Sequence, residues 1–225
     1  MSAGSRAGRV AAGLFTAGSL GCAALMTLDR FTPVPVPFIH LVLGASTGFV
    51  LAGAAGGALT TWRGRGLLLG LVGCWGGDVI GSRDFIAGAL SFLLAHVAFI
   101  AVFAAPGVRP RRLLAGAAVA AVPGAALLRS FLPGVPPGET LLVAAYVAVI
   151  SLMVVCAFAS RDAAPVFLAA AVLFYVSDIF VARWRYGDGA AINGTLCYPL
   201  YYLACNLFAL GAFTLRPKGK AGEEG

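Results

Sequence analysis

The run Thr140-Leu-Leu-Val-Ala-Ala-Tyr-Val-Ala-Val-Ile-Ser-Leu-Met-Val-Val-Cys-Ala-Phe-Ala159 contains no charged residue. A helix of about 20 apolar residues, rising about 1.5 Å per residue, covers the hydrocarbon layer of a bilayer. The run therefore reads as a membrane-spanning helix. Outward from it the same pattern recurs, giving eight segments at about 10–28, 36–59, 66–82, 85–105, 113–132, 139–159, 164–182 and 192–215. The third is the shortest. Their connections are brief and carry turn residues, as in Pro33-Val-Pro-Val-Pro37, Pro106-Gly107 and Pro133-Gly-Val-Pro-Pro-Gly138. The expected fold is all-α, a multi-pass bundle of eight transmembrane helices forming one integral membrane domain over residues 1–225.

Composition points the same way. The chain is 60% hydrophobic and only 11% charged, whereas about a quarter of a soluble domain is charged. Its 30 glycines fit a membrane bundle, because small residues let helices approach closely. Five cysteines (Cys22, Cys74, Cys156, Cys197, Cys205) lie in apolar runs without CxxC or metal-ligand spacing, and read as inert reduced thiols. Arg6 and Arg9 before an apolar run resemble a secretory signal. The run to Leu28 is long, however, ends at Asp29-Arg30 and lacks a small-x-small cleavage site, so it reads as the first helix.

Orientation follows from the basic residues. With the N-terminus cytoplasmic, Arg6, Arg9, Arg63, Arg65, Arg109, Arg111, Arg112, Arg161, Arg216, Lys218 and Lys220 fall inside; Arg30, Arg83, Arg129, Arg183 and Arg185 fall outside. Both termini are then cytoplasmic. The net charge of +7 reflects this topology, and no nucleic-acid partner is expected. Gly53–Gly57 matches a GxxxG pattern, which in so glycine-rich a chain predicts no particular oligomer.

A few polar residues interrupt the apolar runs. Asp78 falls near the outer end of the third segment and Asp178 near the outer end of the seventh. His96 lies about 17 Å deeper than Asp84 at about 1.5 Å per residue. A carboxylate in hydrocarbon is costly unless paired, wet or protonated, which makes both aspartates functional candidates. The structural alternative is a helix-end residue bonded to a nearby arginine, Arg83 or Arg183. Tyr175, one turn before Asp178, is within hydrogen-bonding reach of it. His96 reads either as a satisfied interhelical contact or as an acid/base group. In the last segment Tyr198, Tyr202 and Asn206 share one face, and Pro199 frees the carbonyl of Thr195 beside it. Gly66, Gly70, Gly73, Gly77 and Gly81 leave one face of the third segment bare for tight packing or a ligand. The two histidines, His40 and His96, have no helix-spaced partner, so neither a metal nor another cofactor is expected.

The two halves echo each other. Gly77-Asp78-Val-Ile-Gly-Ser-Arg83 parallels Ser177-Asp178-Ile-Phe-Val-Ala-Arg183, and Ala95-His96-Val-Ala-Phe99 parallels Ala204-Cys205-Asn206-Leu-Phe208. These matches point to a 4+4 duplication, with the aspartates facing a shared cavity.

Two blocks carry a resemblance to a known family. One is Gly77-Asp78 followed by Gly88 to Leu94 and Ala95-His96. The other is Leu173-Phe-Tyr-Val-Ser177-Asp178 with Tyr201-Tyr202-Leu-Ala204. Together they resemble the lysoplasmalogenase, or YhhN-like, integral membrane proteins over essentially the whole chain. The chain departs from that pattern where members often carry a Lys at the start of the second helix, here His40. It departs again where they carry a Gln after Tyr-Tyr-x-Ala, here Cys205-Asn206.

The resemblance implies a multi-pass protein of a bacterial cytoplasmic membrane. It further implies hydrolysis of the vinyl ether bond of lysoplasmalogen, a lysophospholipid substrate, to a fatty aldehyde and a glycerophospho-alcohol. Asp78 and Asp178 would divide acid and base roles, with His96 orienting or relaying. Tyr198, Tyr201, Tyr202, Asn206, Tyr175 and His40 would contribute to substrate binding, with Arg83 and Arg183 taking the phosphate. Two alternatives stand beside this: a non-catalytic lipid-binding protein or transporter using the same cavity, and a hydrolase of ordinary lysolipid esters.

Overall fold

A computed structural model describes residues 3–215. Eight long helices follow one another: α1 (Ala3–Leu28), α2 (Phe38–Ala55), α3 (Trp62–Gly81), α4 (Phe85–Ala104), α5 (Pro110–Phe131), α6 (Thr140–Ala159), α7 (Pro165–Tyr186) and α8 (Ala191–Gly211), the last continued by a 3-10 turn over Ala212–Leu215. The all-α fold and the number of helices match the sequence reading. Of the basic residues assigned to the inner side, Arg216, Lys218 and Lys220 lie outside the described residues.

Seven of the eight helices are long and apolar enough to cross a membrane, as in a multi-pass membrane protein; α3 is the exception. It is a 20-residue helix, but Arg63, Arg65, Asp78 and its glycines dilute its apolar content. Seven of the eight expected spans thus qualify by length and composition, and α3 is a helix of similar length packed among them. It begins four residues earlier than expected because the Thr61 hydroxyl accepts the Gly64 N–H at 3.0 Å, capping the first turn. Asp84 caps α4 in the same way through the Ala87 N–H at 3.0 Å, while Pro110 and Pro165 open α5 and α7.

Consecutive helices pair along the chain, α1 with α2, α3 with α4, α5 with α6 and α7 with α8. The pairs are tied together by α4 against α6, by α8 against both α1 and α2, and by α2 against α3 and α6 against α7. The α3/α4 seam explains the glycines. A Cβ on Gly70 would sit 2.3 Å from the Phe99 ring, one on Gly77 2.6 Å from Phe92, and one on Gly88 2.5 Å from the Gly81 Cα. The bare face of α3 is filled mainly by α4, with Gly77 and Gly81 also reaching a cavity.

Phe99, Phe103, Phe167 and Phe208 stack below that cavity, with ring centroids 4.4–6.5 Å apart. They close the other half of the bundle as a solid apolar core. By contrast α5 is little covered, burying only Gly124 and Phe131. α1 is docked rather than peripheral: the Ser19 hydroxyl donates to the Ala45 carbonyl at 2.7 Å, and a Cβ on Gly48 would meet Ser19 at 2.8 Å.

Candidate active site

The ends of α3, α5 and α7 and the beginnings of α2, α4, α6 and α8 surround a cavity of about 750 Å³. It extends from Ser82, Phe131 and Tyr186 at the helix ends to Ile150 and Tyr202 at mid-helix. Its walls are mostly aliphatic and aromatic. Asp78 and Asp178 both line it.

Asp78 is held from three directions. The Ser46 hydroxyl, from α2, donates to Oδ2. Two hydroxyls from α8 donate to that same oxygen, Tyr201 at 2.9 Å and Tyr202 at 3.4 Å. No hydrogen bond among the described residues reaches Oδ1. The Tyr201 hydroxyl also approaches the Cys74 carbonyl at 3.4 Å, and both tyrosine rings lie 6.3 Å from that of Phe49.

Asp178 is held by different residues in a similar way. The Tyr146 hydroxyl, from α6, donates to Oδ2 at 2.9 Å, and the neighbouring Ser177 hydroxyl approaches Oδ1 at 3.4 Å. His96 of α4 is fully buried, its ring 4.7 Å from Phe174 and 5.4 Å from Tyr146. Its Nε2 lies 4.0 Å from Asp178 Oδ2, beyond a direct hydrogen bond, and neither ring nitrogen has a hydrogen-bond partner. The rings of Phe92, Phe174 and Tyr201, 5.2–6.4 Å apart, connect the two carboxylate positions.

Of the residues singled out from the sequence, Asp78, Asp178, Tyr175, Tyr198, Tyr201 and Tyr202 line the cavity. His96 stands just behind Asp178. The Tyr175 hydroxyl is buried without a partner, so the donor to Asp178 is Tyr146 in its place. Asn206 lies away from the cavity, donating to the Ser19 hydroxyl and the Tyr202 carbonyl, both at 2.8 Å. It ties α8 to α1 and supports the backbone of Tyr202. α8 runs unbroken through Pro199, and Thr195 is not part of the lining.

The expected phosphate ligands Arg83 and Arg183, and the substrate-binding candidate His40, are also elsewhere. His40 and Arg83 are exposed and outside the lining. Arg183 is engaged by Asp188 at 2.7 Å. That pairing, with the Asn193 amide and the Ala190 N–H, holds the exposed Asp188 carboxyl down to about 2. Among the described residues, no three His, Cys, Asp or Glu side chains gather closely enough to hold a metal ion.

Ser46 and Tyr146 were missed, although a signal for them is present. Each is a polar residue inside an apolar run, each stands 32 residues before its aspartate, and 100 residues separate both donors and both acceptors. Neither the curated proteins nor the solved structures compared with this chain contain a match. The model of the YhhN family, in contrast, covers residues 35–212, which spans α2 through α8 and every residue that contacts the two carboxylates. The chain belongs to the YhhN family.

Proposed function

We propose that the protein is a membrane-embedded hydrolase that cleaves the vinyl ether bond of lysoplasmalogen-type lysophospholipids, releasing a fatty aldehyde and a glycerophospho-alcohol. One observation carries the reading. Two carboxylates share one apolar cavity, each braced by hydroxyls from other helices, in a chain whose family includes lysoplasmalogenases.

Enol ether hydrolysis matches such a pair. A carboxyl group delivers its proton to the alkenyl carbon remote from oxygen, and the electrons of the double bond form the new C–H bond. The resulting oxocarbenium ion is stabilised by the second carboxylate, which also takes a proton from the attacking water. The hemiacetal then collapses: the now protonated second carboxyl gives its proton to the glycerol oxygen as that carbon–oxygen bond breaks, and the first carboxylate takes the hemiacetal hydroxyl proton, leaving the aldehyde and restoring both groups. Asp78 and Asp178 share these acid and base roles. Tyr146, Tyr201 and Tyr202 fix the carboxylates, and His96 orients Asp178 from behind. The aliphatic wall formed by Val143, Val147 and Ile150 of α6 and Leu127 of α5 accommodates the chain.

The same reading treats residues 1–225 as one membrane domain with α3 as an eighth span and both termini cytoplasmic. It also includes a 4+4 duplication, supported by the 100-residue spacing of Ser46/Asp78 and Tyr146/Asp178 and by the reciprocal α4/α6 and α8/α2 crossings. A C-terminal reporter active only outside the cytoplasm should be silent; an active one overturns the orientation.

Purified protein supplied with lysoplasmalogen should release aldehyde, and the Asp78→Asn and Asp178→Asn variants should not. Saturable lipid binding without aldehyde release would replace catalysis with binding. Aldehyde release untouched by either substitution would remove the carboxylates from the mechanism.

A further inference from the structure

Arg30 follows the end of α1, beside the first turn of α8. Its guanidinium lies 4.8 Å from the centre of the Trp184 ring and 5.6 Å from that of Tyr198, and both rings line the cavity. The space it occupies exists because residue 194 is glycine: a Cβ there would fall 2.3 Å from Nη2 and 2.5 Å from Cζ. The neighbouring Asp29 is turned away, its Oδ1 accepting the Val34 N–H at 2.8 Å. Among the described residues no carboxylate pairs with Arg30.

The other arginines at this end differ. Arg183 is paired with Asp188 at 2.7 Å, and Arg185 with Glu139 at 3.3 Å. Arg83 and Arg129 are exposed, whereas Arg30 is half-buried and, though not itself in the lining, lies against two rings that are. Arg30 is the cation at this rim that is both fixed in place and without an acidic partner. A guanidinium stacked on aromatic faces keeps its in-plane N–H edge for hydrogen bonding, and that edge matches two oxygens of a phosphate.

We propose that Arg30 recognises the phosphodiester of a single-chain phospholipid at the mouth of the cavity, setting the headgroup while the carboxylates act on the chain. The assignment rests on the lysophospholipid reading above, and it makes Arg30 a specificity residue outside the reacting atoms. Gly194 is part of the same device, because a methyl group there would push the guanidinium off its seat without removing its charge.

The test separates recognition from turnover. Binding of a non-cleavable 1-O-alkyl lysophospholipid and of the phosphate-free 1-O-alkyl glycerol is measured on wild type, Arg30→Gln and Gly194→Ala. Both substitutions should weaken the phospholipid on the order of tenfold, the loss of a charge-assisted hydrogen bond, and leave the alkyl glycerol unchanged. Unchanged alkyl glycerol binding also shows that the variants are folded. With cleavable lysoplasmalogen, Arg30→Gln should raise KM with kcat preserved, and with 1-alkenyl glycerol neither should change.

Equal losses on both ligands, or no loss on the phospholipid, would overturn the proposal, as would displacement of the lipid by inorganic phosphate at equal concentration. If wild type releases no aldehyde but the binding difference persists, the enzymatic reading falls and the headgroup assignment stands.

Discussion

Asp78 and Asp178 illustrate how two similar scaffolds diverge. Each sits in the second half of its helix and receives a hydroxyl from the helix before it, from Ser46 and Tyr146 respectively, 32 residues upstream. The resemblance ends there. Ser46 is short, and α8 adds two tyrosine hydroxyls on the same oxygen of Asp78. Tyr146 is long, and among the described residues the other hydroxyl near Asp178 is that of Ser177 at 3.4 Å, which also donates to the Phe174 carbonyl at 2.7 Å, with the His96 ring approaching in place of a tyrosine. The seams differ too. Position 70 is a glycine pressed on Phe99, whereas position 170, 100 residues on, is a fully buried alanine. Equal placement is thus combined with unequal support.

The strongest challenge to that comparison is to neutralise each carboxylate. Asp78→Asn and Asp178→Asn should each reduce aldehyde release by about 10³-fold, and the double variant should be little worse than either, since groups acting as a unit are not additive. A single substitution leaving turnover near wild type would reduce the pair to one catalytic group. Removing hydroxyls is subtler. Tyr146→Phe should lower kcat by about tenfold, and Tyr201→Phe by less, because Asp78 retains Ser46 and Tyr202. The reverse order in steady-state kinetics would mean that the extra donors on Asp78 are not redundant.

Packing gives a third contrast. Gly70→Ala should destabilise by about 1–3 kcal/mol through overpacking on Phe99, and Ala170→Gly by about 1 kcal/mol through lost helix propensity. Thermal unfolding in detergent measures both; a stabilised Gly70→Ala would show that Phe99 moves aside freely. The smallest effect concerns Asp188, between α7 and α8. Its carboxyl is depressed to about 2 by Arg183, against an unfolded value of about 3.9. The pairing therefore contributes above about pH 4 and is lost as pH falls toward about 2. Titration of the Asp188 carboxyl by NMR should give a midpoint near 2 that returns toward 4 in Arg183→Gln.

Much of this molecule is legible from the chain because membrane helices announce themselves by length and hydropathy. Thr140–Ala159 needs no tertiary information to be recognised as a helix. α3 was harder: its glycines lower its hydropathy, and their reason, the Phe92 and Phe99 rings of α4, lies in the partner helix. Asp78 and Asp178 stood out because charge in an apolar run is costly. Their donors did not, since a serine or tyrosine in a helix is unremarkable until the opposite side chain is known. Arg183 illustrates the converse. Five residues after Asp178 it looks available, yet Asp188, five residues further on, engages it. Which of the five arginines find a carboxylate partner depends on loop geometry that the pattern of charges does not contain.

The glycine seam of α3 has a consequence for biogenesis. A helix carrying Arg63, Arg65 and Asp78, with little side-chain bulk on one face, partitions poorly into lipid by itself, whereas α4 is strongly apolar. On the eight-span reading, α3 would enter the bilayer together with α4 as a hairpin, the two backbones touching at Gly81 and Gly88. A nascent chain ending after α3 should leave that segment untranslocated in a glycosylation-mapping assay, and extension through α4 should rescue it. The residues that allow the cavity its narrow wall would thus also set the order in which the membrane accepts the chain.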